Sequence, residues 1–387
     1  MKIVFVTNFY NHHQKPFADE LYSLFGEDYH FIETSPITEE RKNMGWGGDQ
    51  RPPYVLQNYT GKAQMRECQR IIDDADVVIH GSAPRSLIET RLKNKKLTFL
   101  YSERIYKKRC PIYKLPVHFL RNMKNNARHK NLYLLCASAY TAADYAKTLT
   151  FLGKAYKWGY FPAAKQYNDV DKLIESKPHA SMLWTARFID WKHPEMPLRL
   201  AKRLKDAGYS FNIKMIGIGS LEEEIGRSIN ALGLSDCVTL LGSMKPEQVR
   251  EHMEQSEIFL FTSDRNEGWG AVLNESMNSA CAVVANCAIG SVPFMLKDGE
   301  NGYMYKDGDV EDLYNKVKLL LDNNEERRSM ARNAYLIMVN EWNAENAARK
   351  FVALCEKMLS GEYKPFPYES GVCSKAEILK DNWYIKG

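Results

Sequence analysis

Two glutamates eight residues apart, Glu267 and Glu275, lie on either side of a glycine-bearing turn in the sequence LFTSDRNEGWGAVLNE. The apolar run Ile258–Phe261 before them predicts a strand, and from Val272 onward apolar residues recur at helical spacing. The free amides of a helix start attract an anion, whereas two carboxylates repel it unless each has hydroxyl groups to bind. The pattern therefore predicts a phosphorylated sugar as the ligand. Two ordinary solvated acids are the alternative.

Arg187 and Lys192 lie in the segment TARFIDWKHPE, directly after the predicted strand Ser181–Thr185. Because parallel strands end at one edge of a sheet, we expect this pair at the same carboxyl edge as Glu267 and Glu275. An arginine and a lysine together can neutralise a diphosphate without a metal ion. An ordinary cationic loop is the alternative.

Gly217 and Gly219 form a Gly-x-Gly turn after the predicted strand Asn212–Ile216. The third glycine of a dinucleotide fingerprint is absent, because Glu222 occupies its position, and this strand is not the first of its domain. The turn therefore argues against a nicotinamide-dependent enzyme, and it is compatible with a simple strand-to-helix turn.

His12 and His13 follow the first predicted strand, residues 2–7, in a polar loop. An imidazole there could contact a phosphate or act as an acid or base, and a solvated loop is the alternative. Neighbouring residues of an extended chain point apart, so we expect at most one of the two rings to reach any given atom.

A basic run extends from Arg91 to Lys130, with thirteen lysines and arginines against a single acid, Glu103. Aromatic and aliphatic residues lie between the cations. The run favours contact with a membrane surface or an anionic acceptor, with a solvated positive face as the alternative. Nucleic acid is not favoured, because the rest of the chain is nearly balanced in charge.

The elements that must position these residues alternate between apolar runs and amphipathic segments, which is typical of an α/β protein with parallel sheets. The predicted strands are 2–7, Tyr29–Thr34, Val77–His80, Leu97–Tyr101, Tyr133–Ala137, Ser181–Thr185, Asn212–Ile216, Val238–Leu241, Ile258–Phe261 and Ala282–Ala285. The predicted helices are Pro16–Phe25, Lys62–Asp73, Ser86–Asn94, Ala139–Leu149, Met196–Ala207, Leu221–Leu232, Pro246–Gln255, the helix after Gly270, Asp309–Asp322, Glu325–Val339 and Ala344–Ser360. A glycine- and proline-rich loop is predicted at Asn43–Pro53.

Two domains are predicted, at residues 1–160 and 179–343. Weak periodicity and prolines at both ends place a linker at 161–178. Residues 344–387 form a last helix and a tail.

The chain has 387 residues, which is enough for two domains, and its 44% hydrophobic and 26% charged residues are typical of a globular protein. The net charge of +5 does not by itself indicate nucleic acid. The N-terminus lacks the features of a signal peptide, and no apolar run reaches the roughly 18–20 residues of a membrane span. The eight cysteines include no CxxC pair, so neither a zinc site nor a disulfide framework is indicated. We expect a reduced, cytoplasmic protein.

These residues, in this order, resemble the family-4 retaining glycosyltransferases of the GT-B fold, which has two Rossmann-like domains facing across a cleft. The most specific element is the Glu-x7-Glu motif EGWGAVLNE, and the Arg-x4-Lys pair and the stretch KDGENGYMY at Lys297–Tyr305 also match. The likeness is strong over residues 181–305 and mostly architectural before them. It implies an enzyme whose donor is a nucleoside diphosphate sugar.

In that family the first glutamate contacts the donor sugar, the second binds the ribose hydroxyls, and the cation pair binds the diphosphate. The resemblance therefore implies catalytic roles for Glu267, Arg187 and Lys192 and a ribose-binding role for Glu275. The other predicted donor contacts are Gly217, Gly219, Ser243, Gly268, Trp269, Gly270, Ala271 and Val272. The predicted contacts on the sugar or acceptor side are His12, His13, Glu103 and Arg104. No DxD motif is present, so no metal site and no cofactor are expected, and the UDP- or GDP-linked donor is a substrate.

The implied activity is retaining, metal-independent hexosyl transfer to a glycan or lipid-linked acceptor, in the synthesis of a polysaccharide, glycolipid or other cell-surface glycan. The resemblance implies that the transfer takes place in the cytoplasm, at the cytoplasmic face of the membrane if the basic run binds lipid. The resemblance also implies that residues 344–387 cross back to the first domain.

Three departures from the family pattern keep alternatives open. The loop NFYNHHQK lacks a glycine, Tyr101–Arg104 occupies the place of a usual histidine, and Gly290–Phe294 lacks the usual acid. The alternatives are a catalytically degenerate binding subunit and a nucleotide-sugar epimerase.

Overall fold

The computed structural model describes residues 1–38, 51–362 and 366–385. The predicted loop at Asn43–Pro53 lies mostly outside this part of the chain. The structure divides into two compact units, one of Met1–Ala163 with Trp342–Lys380 and one of Ala164–Glu341 with Asp381–Gly387.

The first unit is built on a parallel sheet that has, among the described residues, seven strands in the order β3-β2-β1-β4-β5-β6-β7. The strands are β1 Ile3–Thr7, β2 Tyr29–Glu33, β3 Val55–Gln57, β4 Val77–His80, β5 Leu97–Ser102, β6 Leu132–Cys136 and β7 Ala155–Lys157. Most of these residues are buried, as expected for strands covered on both faces. The short edge strands β3 and β7 were not predicted, because three residues carry too little periodicity.

The helices of the first unit are Lys15–Phe25, Lys62–Asp74, Glu89–Lys93, Leu115–Asn122, Thr141–Ala146 and Ala344–Ser360. The last of these packs on the first through Phe351, whose ring lies 6.3 Å from Phe17 and 5.0 Å from Phe99. Beyond it the chain runs beside β7, where Lys157 donates to Ser374 and Ala376 donates to Ala155. The tail therefore covers an edge strand that would otherwise expose unpaired backbone groups.

The second unit contains a parallel sheet with six strands in its described part, in the order β10-β9-β8-β11-β12-β13. The strands are β8 Ser181–Thr185, β9 Asn212–Ile216, β10 Val238–Leu240, β11 Ile258–Phe261, β12 Ala282–Asn286 and β13 Tyr303–Tyr305. This order matches that of β1 to β6 in the first sheet, because in both sheets the first strand of the unit pairs with the second and the fourth. The predicted α/β class with two parallel sheets is confirmed.

The helices of the second unit are Val170–Ser176, Glu195–Asp206, Glu222–Ala231, Pro246–Glu254, Val272–Asn278, Val292–Met295, Val310–Asp322 and Asn324–Asn340. The first of them corrects the linker assignment of 161–178, which lies largely within this unit. Its N-cap is Asp169, whose carboxylate accepts a hydrogen bond from the Lys172 amide. A seven-residue helix has too few turns to show a clear apolar period.

None of the described helices has both the length and the hydropathy that crossing a bilayer requires.

Candidate functional site

In the second sheet, the order in which the chain adds strands reverses between β8 and β11. The chain builds β9 and β10 on one side of β8 and then returns to place β11 on the other side. The loops that follow β8 and β11 diverge at such a point, and the crevice between them is where open α/β sheets bind ligands. Arg187 and Lys192 follow β8, and Glu267 follows β11, so the topology brings these three predicted residues to one crevice.

The center of this crevice is a contact between Lys192 and Glu267. The Lys192 ammonium donates to the Glu267 carboxylate, and the hydroxyl of Ser263 donates to the same oxygen at 3.0 Å. Glu267 is 8% exposed. A carboxylate this shielded from water is stabilised by these two donors, and the lysine charge is compensated in turn.

Trp191 holds the two predicted cations near each other. The Lys192 ammonium lies 4.3 Å from the center of the indole ring, and the Arg187 guanidinium carbon lies 6.0 Å from it. An indole face attracts cations, so it offsets part of the repulsion between them. Arg187 is exposed, and the arrangement gives the β8 loop a concentrated positive charge.

The two loops are fastened together by groups that the sequence analysis did not identify. The Thr262 hydroxyl donates to the Lys192 carbonyl at 2.8 Å and accepts from the Trp184 indole at 2.8 Å. The Asp264 amide donates to the Trp191 carbonyl at 3.0 Å. The position of Lys192 beside Glu267 is therefore determined by backbone contacts between loops that lie far apart in sequence.

His193 is a further residue that sequence reasoning missed. Its ring lies between Glu195, at 2.8 Å from Nδ1, and Asp264, at 3.6 Å from Nε2. Hydrogen bonding to Asp264 and then to Glu195 raises the pKa of His193 to about 10, against the opposing effect of burial. The imidazolium is therefore charged at neutral pH and joins the β8 and β11 loops. Its neighbour Glu195 was visible in the sequence, but Asp264 lies on another strand's loop.

Glu275 lies in the first turn of the Val272–Asn278 helix. Burial raises the pKa of its carboxyl to about 7, although the positive charge of Arg250 on the preceding helix lowers it. The group therefore changes protonation state near neutral pH, which is typical of functional carboxyls and also of some structural ones.

The helix that carries Glu275 gives little support to the predicted anion site at its start. It has only seven residues, so its dipole is small. The amides of Leu273 and Glu275 already donate to the carbonyls of Gly270 and Ala271. The positive charge at this edge comes instead from the side chains of the β8 loop.

Gly268–Val272 form the turn between the two glutamates. Gly270 has φ +84°, and a Cβ there would overlap the Phe261 ring. The Trp269 side chain is fully buried, donates from its indole to Asn274 at 2.9 Å, and therefore supports the turn from inside. Ala271 is buried and Val272 is half-buried.

Gly217 and Gly219 let the β9 loop approach the β8 loop closely. A Cβ at Gly217 would overlap the Ala186 carbonyl, and one at Gly219 would overlap the Phe188 carbonyl. Between them the Phe188 amide donates to the Ile218 carbonyl at 2.9 Å. The structure therefore gives both glycines a role in positioning Arg187. Ser243 is exposed in the loop after β10, on the same edge of the sheet.

Residues 168–337 match the family model described as glycosyl transferases group 1. Among curated proteins, an uncharacterized glycosyltransferase of Methanocaldococcus jannaschii is 30% identical over 169 residues, which cover 43% of this chain and 46% of that protein. The amylovoran biosynthesis glycosyltransferase AmsK of Erwinia amylovora is 28% identical over 137 residues, which cover 34% of this chain and 33% of AmsK. The chain thus spans less than half the length of these relatives.

Residues 168–337 of this chain are therefore similar to the group 1 glycosyltransferases. Among solved structures, Anabaena HepE in complex with UDP is similar over 93% of this chain and 100% of HepE, with a TM-score of 0.67 and 14% identity. At that identity the likeness shows the fold, which is GT-B. The predicted family resemblance and fold are confirmed.

The first unit, which lies outside residues 168–337, has a different set of residues at its sheet edge. His13 stacks on Tyr160, with ring centers 6.1 Å apart, and the Tyr160 hydroxyl donates to Glu103 at 2.7 Å. The structure thus links two predicted acceptor-side residues through a tyrosine that the prediction omitted. Burial, and then the charge of His12, lower the pKa of His13 to about 3, so its ring is neutral at pH 7.

The expectation that the two histidine rings point apart is wrong. The rings of His12 and His13 lie 3.9 Å from each other. The segment is a turn and not a strand, and the Asn11 carboxamide oxygen accepts from the His13 amide at 3.0 Å. The alternation of side chains along a strand therefore does not apply here.

Arg104 lies inside the first unit, in contrast to Glu103. It is 3% exposed, its guanidinium lies 3.5 Å from the Asp144 carboxylate, and it stacks over the Tyr140 ring at 4.8 Å. Asp144 also accepts from the Tyr106 amide at 3.0 Å. Arg104 therefore fixes the loop after β5 and does not face solvent.

Proposed function

We propose that this chain is a retaining, metal-independent glycosyltransferase that binds a nucleoside diphosphate sugar at the carboxyl edge of its second sheet. The observation that carries the proposal is the pairing of Lys192 with the buried Glu267 at the point where the strand order reverses, with Arg187 on the same indole. A cation pair beside a shielded carboxylate suits a ligand that has a diphosphate and sugar hydroxyls next to each other.

When the donor binds, the contact between Lys192 and Glu267 is replaced by contacts of each side chain with the donor. The diphosphate takes the ammonium of Lys192 and the guanidinium of Arg187, because its charge exceeds that of a single carboxylate. Glu267 is then left with the Ser263 hydroxyl, and its remaining lone pairs accept hydrogen bonds from sugar hydroxyls. Glu275 binds the ribose hydroxyls in the same way when it is ionised.

The transfer step breaks the bond between the anomeric carbon and the diphosphate oxygen and forms a bond from that carbon to the acceptor oxygen on the same face. The leaving diphosphate takes the acceptor's proton. Negative charge therefore grows on the diphosphate in the transition state, where Arg187 and Lys192 stabilise it. The two side chains supply the positive charge that a divalent cation would otherwise provide, so transfer is expected to persist in a chelator.

UDP is the proposed nucleotide, with GDP as the alternative. Anabaena HepE has been crystallised with UDP and with UDP-glucose, and its fold likeness to this chain supports the same class of donor. The name of AmsK refers to amylovoran biosynthesis. This supports a polysaccharide or related glycan as the product.

Thermal unfolding with UDP, GDP or ADP tests the nucleotide site directly, because at a fixed ligand concentration a tighter ligand raises the midpoint more, by an amount that grows with the logarithm of its affinity. We expect UDP to raise it and the Arg187→Gln/Lys192→Gln double variant to lose the shift. The matched control is Arg203→Gln/Lys205→Gln, two exposed cations of the Glu195–Asp206 helix. Full transfer activity in the first double variant would overturn the proposal.

Glu275 gives this site a pH dependence. With a pKa of about 7 in the free protein, the carboxyl is mostly protonated below neutral pH and cannot accept from both ribose hydroxyls. Affinity for UDP-glucose, which has no titrating phosphate near pH 7, should therefore rise with pH to a plateau above pH 7. Calorimetry on Glu275→Gln should show a weaker affinity without that rise.

Product analysis separates the alternatives. UDP binding without transfer to any acceptor would favour a degenerate binding subunit. Release of an epimerised donor without an acceptor would favour an epimerase.

A further inference from the structure

The helix Leu115–Asn122 in the first unit exposes its apolar side. Ile112 is 84% exposed, Tyr113 76%, Val117 67% and Leu120 68%. Val117 and Leu120 are three residues apart on the helix and therefore lie on one side of it, and Ile112 and Tyr113 lie in the 3-10 turn Ile112–Lys114 that leads into it. We call these four residues the apolar ridge.

The opposite side of the same helix faces the protein and carries His118 and Asn122 together with the half-buried Leu115 and Phe119. The His118 ring lies 3.0 Å from the Tyr106 hydroxyl, and the buried Asn122 donates to the Thr148 hydroxyl at 2.9 Å. A helix on a soluble protein normally buries its apolar side and exposes its polar side. Here the polar Asn122 is buried while Val117 and Leu120 stay exposed, so packing within this unit does not account for the apolar ridge, which marks a contact with something else.

Five exposed cations surround the apolar ridge: Lys108, Arg109, Lys114, Arg121 and Lys124. Within the described residues, none of the five forms an ion pair. The sequence has no aspartate or glutamate from residue 104 to residue 143, so no acid of this segment offsets their charge. Two other cations of the basic run, Arg91 and Arg104, differ because they are buried and bind groups of the protein itself.

We propose that the apolar ridge and its five cations dock the first unit on an anionic lipid bilayer. The ridge enters the interface between headgroups and acyl chains, and the cations bind lipid phosphates around it. Long lysine and arginine side chains reach the headgroups while their stems lie beside the apolar residues. The inference does not depend on the donor site, because it uses residues of the first unit alone.

A second copy of the chain fits this surface less well. A two-fold contact through the ridge would bring the same cations of both copies together. The surrounding segment has no acid to compensate them, so the repulsion would oppose the apolar contact. A bilayer containing anionic lipid satisfies the apolar and the charged groups at once.

Cosedimentation of the full chain with vesicles tests the proposal. We expect binding to vesicles of phosphatidylcholine mixed with phosphatidylglycerol, weak binding to phosphatidylcholine alone, and release at high salt because the charges are exposed. The triple variant Ile112→Ser/Val117→Ser/Leu120→Ser should bind at least about tenfold more weakly. Arg109→Gln/Lys114→Gln/Arg121→Gln should lose about fivefold per charge.

The matched control is Leu24→Ser/Leu152→Ser/Leu336→Ser, which removes exposed leucines elsewhere and should bind vesicles like the parent chain. UDP-induced stabilisation should be unchanged in all three variants, which separates a failure here from a failure of the donor site. Absent vesicle binding by the parent chain, or full binding by the serine triple variant, would overturn the proposal. A dimer that the serine triple variant dissociates, without vesicle binding, would assign the ridge to a second copy instead.

Discussion

The two sheets of this molecule share a strand order and differ in the chemistry of their carboxyl edges. In the second unit the edge carries charged pairs, with Lys192 on Glu267 and His193 between Glu195 and Asp264. In the first unit the corresponding edge carries a neutral His13 ring stacked on Tyr160. One topology thus supports a cationic crevice in one unit and an aromatic, hydrogen-bonding surface in the other.

This difference separates two properties of a binding site, which are its position in the fold and its chemistry. Strand order determines where loops diverge, and therefore where a ligand can bind. The residues placed on those loops determine what can bind there. A cationic edge suits a diphosphate, whereas a neutral ring and a hydrogen-bonded carboxylate, Glu103, suit hydroxyl groups.

The largest difference between the two edges is expected when the lysine of each edge is replaced. Lys192→Gln should lower the turnover of sugar transfer by about 100- to 1,000-fold, because it removes a charge that stabilises the leaving diphosphate. Lys107→Gln removes the lysine that donates to Glu103 at 2.6 Å in the first unit, and it should change turnover only severalfold. Steady-state kinetics on both variants measures the two losses of turnover. Equal losses would show that the two edges do not differ in their contribution to catalysis.

The next largest effect concerns one buried cation in each unit. Lys177 donates to the carbonyls of Met253, Ser256, Ser279 and Ala280, and Arg91 to those of Ile72, Ala75, Asp76 and Leu97. Each ties together several elements, and each substitution to Met leaves carbonyls without a donor.

Lys177→Met and Arg91→Met should each destabilise by about 3 kcal/mol. Hydrogen exchange followed by peptide should place the loss in the second unit for Lys177→Met and in the first for Arg91→Met. A loss of protection spread evenly over the chain in both variants would contradict the expectation that each cation stabilises its own unit.

Glycines next to the two edges provide a third test. Gly217 has φ +139° and lies against the backbone carbonyl of Ala186, so Gly217→Ala should destabilise by about 2 kcal/mol and weaken UDP binding. A Cβ at Gly81, after β4, would lie 2.7 Å from the Thr7 hydroxyl and 3.0 Å from the Thr7 Cβ, which are side-chain atoms and not backbone, and Gly81 does not have a positive φ. Gly81→Ala should therefore have the smaller effect in urea unfolding, and the reverse order would be evidence against this account.

The smallest expected effect is on the pH dependence of stability. His193 has its pKa raised to about 10 from 6.5, so its contribution is complete below pH 6.5 and is lost as pH rises toward 10. His13 has its pKa lowered to about 3, so its contribution is present above pH 6.5 and is lost as pH falls toward 3.

Urea unfolding across pH separates these two contributions. His193→Gln should flatten the alkaline side of the stability profile by about 1 kcal/mol, since the pair is partly exposed. His13→Gln should flatten the acid side. If either variant altered the opposite side, the protonation states assigned here would be incorrect.

Much of the fold could be predicted from the chain. The strands Val77–His80, Ser181–Thr185, Asn212–Ile216 and Ile258–Phe261 and the helix Ala344–Ser360 have the predicted bounds. They are continuous apolar runs or long amphipathic segments, whose periodicity is a local property. The three-residue strands β3, β7 and β13 and the Val170–Ser176 helix were not predicted, because so few residues show no period.

The candidate site was predictable in part, for the same reason. The Glu-x7-Glu and Arg-x4-Lys spacings predicted Glu267, Glu275, Arg187 and Lys192, and residues 168–337 match the model of the family that these spacings suggested. His193 and Tyr160 were missed because Asp264 and Glu103 are distant from them in sequence. Ser263 is only four residues from Glu267, and it was missed because no period in a loop shows which way a hydroxyl points. The burial of Arg104 and Trp269 was not visible either, since a cation or an indole in a loop has no spacing that reveals which side faces inward.

The sequence by itself determined the α/β class, the family resemblance of residues 168–337 and the spacing of the residues that could bind a diphosphate sugar. These follow from local periodicity and from short motifs that the chain carries wherever it folds. Only the tertiary structure decided that Lys192 contacts Glu267, that Gly217 and Gly219 serve loop packing, and that Leu115–Asn122 turns its apolar side outward. Burial and through-space partners set those properties, and both arise only when segments far apart in the chain come together.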